Sequence, residues 1–226
     1  MSKLNNKLAK NVKTELVQIG RRIAEYALVV GPGGNTSARA GDVVYMKASG
    51  ACFESALEKH YIGVEMNTCK VVDGAMRPTC EISMHLGCYE VRPDVMAVVH
   101  THPDYSTAWA MSIKPLRAFT PDFAALLGPE VPALPFIEPG GKKLADAVKK
   151  VIAQGYNSVF LCNHGLLTVG SNLTEAFYRT LLVESAAKTA LLAEANGTMK
   201  YFTKAQINAI YNMSAEKYRR ELLKKY

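Results

Sequence analysis

Apolar positions recur at helical spacing across residues 4–29, predicting an amphipathic helix that Gly31-Pro32-Gly33-Gly34 cannot continue. Alternation then takes over: residues 35–39 and 43–46 read as a hairpin about Ala40-Gly41-Asp42. Shorter strands are predicted at 62–66 and 69–72, the second running into the turn Asp73-Gly74. Residues 81–90 read as a helix entered through Pro78-Thr79, and the β-branched run 95–100 as a buried strand. Next come a helix at 142–153, buried strands at 158–161 and 166–169, and a long Ala- and Leu-rich helix at 173–195. A helix at 204–211 and a basic helical tail complete the pattern. Short strands among helices imply a layered α/β or α+β domain, and the hairpins exclude a purely parallel sheet. No repeat, low-complexity run or linker interrupts residues 1–226, which read as one domain.

Composition narrows the class. The 226 residues are 49% hydrophobic and 21% charged, an ordinary globular balance. No stretch approaches the roughly 20 apolar residues of a membrane span, and the first ten residues have no secretory apolar core. Five cysteines (Cys52, Cys69, Cys80, Cys88, Cys162) form no C-x-x-C pair and are odd in number. That argues against a disulfide framework, suits a reducing cytoplasmic setting, and predicts that most are buried thiols. The net charge of +7 gathers near the two ends. No zinc-finger, RRM, KH or helix-turn-helix signature accompanies it, so it reads as solvated helix faces and attraction for an anionic metabolite, not nucleic acid.

The candidate chemistry lies at strand ends. His100 and His102 close the apolar run 95–99, and residues i and i+2 of a strand face the same side. His164 follows a second buried run. Three neutral imidazoles suit zinc and leave a coordination position open; other borderline divalent metals fit the same donors. His60 reads as a surface residue, and His85, four residues after Glu81 on one helix face, as a local packing or hydrogen-bonding group. Glu81 fits two descriptions: an acid favoured at a helix N-terminus by the macrodipole, or a proton-shuttling carboxylate near the metal. Gly33-Gly34-Asn35-Thr36-Ser37 and Ala48-Ser49-Gly50 are either plain turns or phosphate cradles. The first is neither a Walker A loop nor a dinucleotide fingerprint, lacking Gly-Lys-Ser/Thr and following a helix.

In order along the chain, five segments resemble the class II aldolase/adducin family. They are Gly34-Asn35-Thr36-Ser37-Ala38-Arg39, Lys47-Ala48-Ser49-Gly50, Pro78-Thr79-Cys80-Glu81, Arg92-Pro93-Asp94 through His100-Thr101-His102-Pro103, and Asn163-His164-Gly165. The resemblance implies a three-layer α/β/α domain around a mostly antiparallel sheet, assembled as a homotetramer with sites between subunits. It implies zinc on His100, His102 and His164, with Glu81 at the acid/base position. Asn35, Thr36, Ser49, Gly50, Thr79 and Cys80 fall at phosphate-binding positions. The implied activity is aldol cleavage or formation of a ketose 1-phosphate, such as L-fuculose 1-phosphate, from dihydroxyacetone phosphate and an aldehyde. 4-Epimerisation, dehydration and oxo-tetronate phosphate decarboxylation are the alternatives on this scaffold. Two departures bear on that choice. Cys80 stands where the fuculose enzyme has serine, and a thiol is a poor donor. Asp122 aligns where that enzyme has tyrosine, as in the epimerase, which uses an aspartate as acid/base. Tyr218, with Tyr211 as second choice, is the match for a tyrosine that reaches a neighbour's site. The family also includes adducin, an assembly module in which the zinc ligands are lost; here all three histidines are present.

Overall fold

The computed structural model describes residues 3–197 and 199–225, with side chains from residue 7 onward. Among these residues ten strands and eight α-helices follow in the order α1 (Lys3–Glu25), β1 (Asn35–Ala40), β2 (Val43–Lys47), β3 (Tyr61–Glu65), β4 (Val71–Asp73), α2 (Ile82–Val91) and β5 (Ala97–Thr101). The middle of the chain adds α3 (Asp104–Ala110), β6 (Leu116–Arg117), α4 (Pro121–Leu126), β7 (Glu130–Val131), β8 (Ala133–Leu134) and α5 (Lys142–Ala153). The chain then forms β9 (Ser158–Leu161), β10 (Gly165–Gly170), α6 (Leu173–Ala195), α7 (Lys204–Asn212) and α8 (Ser214–Leu223).

Eight strands form one sheet in the order β4-β3-β2-β1-β5-β10-β9-β8. Every neighbouring pair is antiparallel except β8 with β9. Strand alternation splits the core into two layers. Tyr45, Ala97 and Val99 join α1 and the first half of α6 on one face. Val44, Met46, Val98, Leu167 and Val169 join α2 and α5 on the other. A third cluster packs α3, α4 and the second half of α6 against Phe160 and Leu166. The arrangement is helices, sheet, helices, with β5 at its centre, as the resemblance implies. Among the described residues no helix is long and apolar enough to cross a membrane.

The differences from the sequence reading have local causes. The first helix stops at Glu25, four residues before the apolar pattern does. Ala27 takes a left-handed φ of 51° and turns Leu28 down into the core, its N–H bonded to the Ile23 carbonyl. The strand expected at 69–72 begins at Val71, because Cys69 is also left-handed, at 57°, and closes a turn onto Glu65. Glu81 caps the second helix instead of opening it. α3, α4 and the pair β6–β7 were not anticipated. They span two to seven residues each, too short for periodicity to register. Only Cys88 and Cys162 are buried; Cys69 and Cys80 are exposed, which corrects the expectation of mostly buried thiols.

Candidate metal centre

β5 delivers the first two histidines. His100 lies opposite Asn35 of β1 on one side and Leu167 of β10 on the other. Its Nδ1 sits 3.0 Å from the Leu166 carbonyl and donates to it, so Nε2 is left as a bare lone pair. His102 follows just beyond the strand end. His164 comes from the turn between β9 and β10, where Asn163 adopts a φ of 54° and the His164 N–H bonds to the Leu161 carbonyl. Asparagine tolerates that left-handed geometry better than most residues. Gly165 serves close approach: a Cβ there would stand 2.3 Å from the Thr101 carbonyl oxygen and 2.8 Å from the His102 ring. Gly34 does the same with φ 64°, its hydrogen facing the His100 carbonyl where a Cβ would sit at 2.7 Å. Asn163-His164-Gly165 is therefore a turn residue, a donor and a gap for β5.

The three rings converge. His100 Nε2 is 3.0 Å from His102 Nε2 and 3.2 Å from His164 Nε2, and the candidate donor atoms of all three lie within 4.8 Å of one another. Tetrahedral nitrogen donors about 2.05 Å from one ion stand about 3.3 Å apart, so the spacing fits a shared cation. Burial, and then the mutual charges of the rings, hold the His100 and His102 pKa values down; burial also lowers His164. The set is thus kept in the neutral form that ligates metal.

Glu81 completes the centre. It is 4% exposed at the N-cap of α2, with Oε2 3.2 Å from His100 Nε2 and Oε1 3.4 Å from His164 Nε2. Oε2 accepts a hydrogen bond from Asn35 Nδ2 at 2.8 Å, while Oε1 is buried and accepts no hydrogen bond from the described residues. A buried carboxylate oxygen without a donor is costly, and a cation beside the His100 and His164 nitrogens would satisfy it. The donor set therefore fits a divalent metal.

Two loops border the centre. The 77–81 segment is stitched to the 47–50 segment by Thr79 N–H to the Lys47 carbonyl, Ser49 N–H to the Arg77 carbonyl and the bridge between Ala48 and Pro78. Ser49, Gly50 and Cys80 are exposed there, and Thr79, buried, accepts from the Glu81 N–H. Asn35 shares this side of the sheet, but Thr36 does not: it is wholly buried, and its side chain faces the opposite side of β1. Lys47, quoted in the motif without a role, has a clear one. Its buried ammonium bonds to the carbonyls of Pro32 and Ala51, tying the glycine-rich loop to the Ser49-Gly50 loop. Among the described residues no carboxylate partners it, and burial lowers its pKa to about 8.

Other sequence candidates lie apart. Asp122 is exposed on α4, its carboxylate 2.7 Å from Arg219 of α8, next to Tyr218, which is 70% exposed. Neither residue contacts the histidines or Glu81 of its own chain. Tyr211 carries the Arg220 guanidinium 3.8 Å over its ring. His60 is half-buried and accepts the Leu57 N–H, while His85 is fully buried against β1.

The family model for the Class II Aldolase and Adducin N-terminal domain matches residues 14–191. An L-fuculose phosphate aldolase of Methanococcus maripaludis is 32% identical over 175 residues, covering 77% of this chain and 93% of that protein. A 3-oxo-tetronate 4-phosphate decarboxylase of Haemophilus influenzae is 28% identical over 208 residues, covering 88% and 96%. A solved L-fuculose 1-phosphate aldolase superposes with a TM-score of 0.85 at 31% identity, over 92% of this chain and 96% of that one. The chain therefore belongs to the class II aldolase and adducin family, as an enzyme of the class II aldolase type.

Proposed function

We propose that this protein is a zinc-dependent aldolase that cleaves or forms a ketose 1-phosphate, with dihydroxyacetone phosphate and an aldehyde as the other partners. One observation carries the reading: three imidazole Nε2 atoms converge, and the Glu81 carboxylate lies against two of them, those of His100 and His164. A zinc ion held by His100, His102 and His164 supplies Lewis-acid polarisation of a substrate carbonyl. Glu81, buried at that point, takes a proton from the carbon beside the carbonyl of dihydroxyacetone phosphate. The carbanion adds to the aldehyde carbon, whose oxygen gains a proton; cleavage is the reverse. Asn35, Thr79, Ser49, Gly50 and the backbone N–H of Cys80 grip the phosphate, and Thr36 contributes through its backbone. Lys47, cross-bracing the two loops, keeps that grip in one geometry, so little freedom remains to be lost on reaction. Asp122 and Tyr218 act in a neighbouring copy's site within a homotetramer, as a second proton source. Their exposure and joint placement around Arg219 support that role.

The test is cleavage of L-fuculose 1-phosphate coupled to detection of dihydroxyacetone phosphate. Chelation should abolish turnover and zinc restore it, and Glu81→Gln should bind zinc yet lose about 10²- to 10⁴-fold in rate. Full turnover by metal-free protein sinks the proposal. Exposed Asp122 favours one second reading, a 4-epimerase, dehydratase or decarboxylase acting on a related sugar phosphate. Product analysis by NMR across a sugar-phosphate panel separates the two, since release of dihydroxyacetone phosphate belongs to the aldolase alone.

A further inference from the structure

Behind Glu81 and Asn35 lie three buried polar side chains, Ser37, His85 and Tyr89, that the proposed chemistry leaves unused. Glu81, His85 and Tyr89 recur every fourth residue along α2, and Asn35 and Ser37 every second residue along β1. Four helical residues rise about 6.0 Å and two strand residues about 6.6 Å, so the two series stay in step. They mesh through five hydrogen-bonding groups. Asn35 Nδ2 is 2.8 Å from Glu81 Oε2, and Asn35 Oδ1 is 2.5 Å from His85 Nε2. Ser37 Oγ is 2.7 Å from His85 Nδ1 and 2.7 Å from the Tyr89 hydroxyl.

The direction of every bond follows from one end. An ionised carboxylate only accepts, so Asn35 must turn its NH₂ toward Glu81 and its carbonyl toward His85. His85 must then carry its hydrogen on Nε2, which leaves Nδ1 to accept from Ser37. The Ser37 hydrogen is thereby committed, and the Tyr89 hydroxyl donates to the Ser37 oxygen. A neutral imidazole fits this pattern, and an imidazolium, with two donors, breaks it at Ser37 unless that hydroxyl and Tyr89 both reverse. Complete burial favours the neutral ring, lowering the His85 pKa to about 3.

We propose that His85 is a positioning residue for Glu81: its Nε2–H locks the Asn35 amide so that NH₂, not C=O, faces the carboxylate. The inference rests on the reading of Glu81 as the acid/base group. Without the imidazole donor the carboxylate alone holds the amide, Asn35 Oδ1 is left buried without a partner, and the amide loses the contact that fixes it from behind.

The direct test is the ¹⁵N spectrum of the His85 ring in the intact zinc-loaded protein. Protonated Nε2 with bare Nδ1 is expected, and the opposite tautomer overturns the proposal. The functional test is exchange of the dihydroxyacetone phosphate C–H into D₂O, which needs no aldehyde. His85→Leu should slow exchange about 10- to 100-fold, the scale of a small misplacement of a catalytic group. His85→Gln, whose amide places a donor where Nε2 was, should restore most of the rate. In an Asn35→Ala background His85→Leu should cost nothing further, because His85 acts through Asn35. Losses that multiply, or an unimpaired His85→Leu, overturn the proposal. Unimpaired exchange by Glu81→Gln instead removes the acid/base reading, while the ring spectrum still decides whether His85 locks Asn35.

Discussion

The histidine centre and the α4–α8 surface hold all the candidate catalytic side chains, and they are built in opposite ways. At the centre, His100 and Glu81 are buried, Asn35 and His85 hold one another, and the backbone is fixed by cross-strand pairing on both sides of β5. At the surface, Asp122 and Tyr218 are exposed, and the Asp122 carboxylate is held by the single guanidinium of Arg219. Such exposed ion pairs contribute roughly 0–1 kcal/mol. The first region gathers its groups inward from distant segments of one chain; the second holds its groups out in solvent.

Four changes break or sharpen the contrast. His164→Ala should have the largest effect. Losing a group that only supports a ligand costs about 10- to 100-fold in metal affinity, so losing a ligand should exceed that. Metal titration of the purified variant measures it, and unchanged affinity would dissolve the centre as described. Gly165→Ala should come next, by forcing a Cβ against the Thr101 carbonyl, where backbone and not a flexible side chain must yield. A loss of about 1–3 kcal/mol is expected from urea unfolding, together with weaker zinc binding.

The third change concerns acid. The folded pKa of His85, about 3, lies below the unfolded value of roughly 6.5. The neutral ring is therefore at no disadvantage above pH 6.5, and stability is lost as pH falls from there toward 3, because the unfolded chain gains a proton that the folded one refuses. Between pH 7 and pH 5 this amounts to about 2 kcal/mol. His85→Gln should lose correspondingly less over the same interval in parallel urea titrations. An identical slope in the two proteins would contradict the buried neutral ring. The smallest effect belongs to the surface: Asp122→Asn should move stability by no more than about 0.5 kcal/mol and leave zinc affinity alone. Turnover should nevertheless fall if copies share sites. Mixing subunits of inactive Glu81→Gln with inactive Tyr218→Phe should then recover activity, and no recovery argues against shared sites.

What could be read before the fold was known follows the same division. Strand alternation alone placed His100 and His102 on one side, and the apolar run before His164 located the third ring. The buried strands and the long helices α5 and α6 emerged with their bounds nearly unchanged, because apolar periodicity over many residues records which face is covered. Contacts between distant segments left no such trace. Nothing in the local pattern of Lys47 tells of the Pro32 and Ala51 carbonyls it reaches. Thr36 looked like a companion of Asn35 until β1 set the two on opposite faces, although the period-two rule applied there too. His85 read as a packing or hydrogen-bonding group, which it is, but nothing in its pattern told that its bonds run to β1.

The pairing of α2 with β1 works like a vernier. Two rulers of nearly equal pitch coincide for a few marks and then drift, here by about 0.6 Å per step. Substitutions along either ruler change one mark and leave the rest aligned. Inserting a single residue does something else: it rotates the helical marks by about 100° or turns the strand marks to the other side of the sheet. This part of the molecule should therefore accept altered residues far more readily than altered spacing, and length variation among its relatives should fall in the loops on either side.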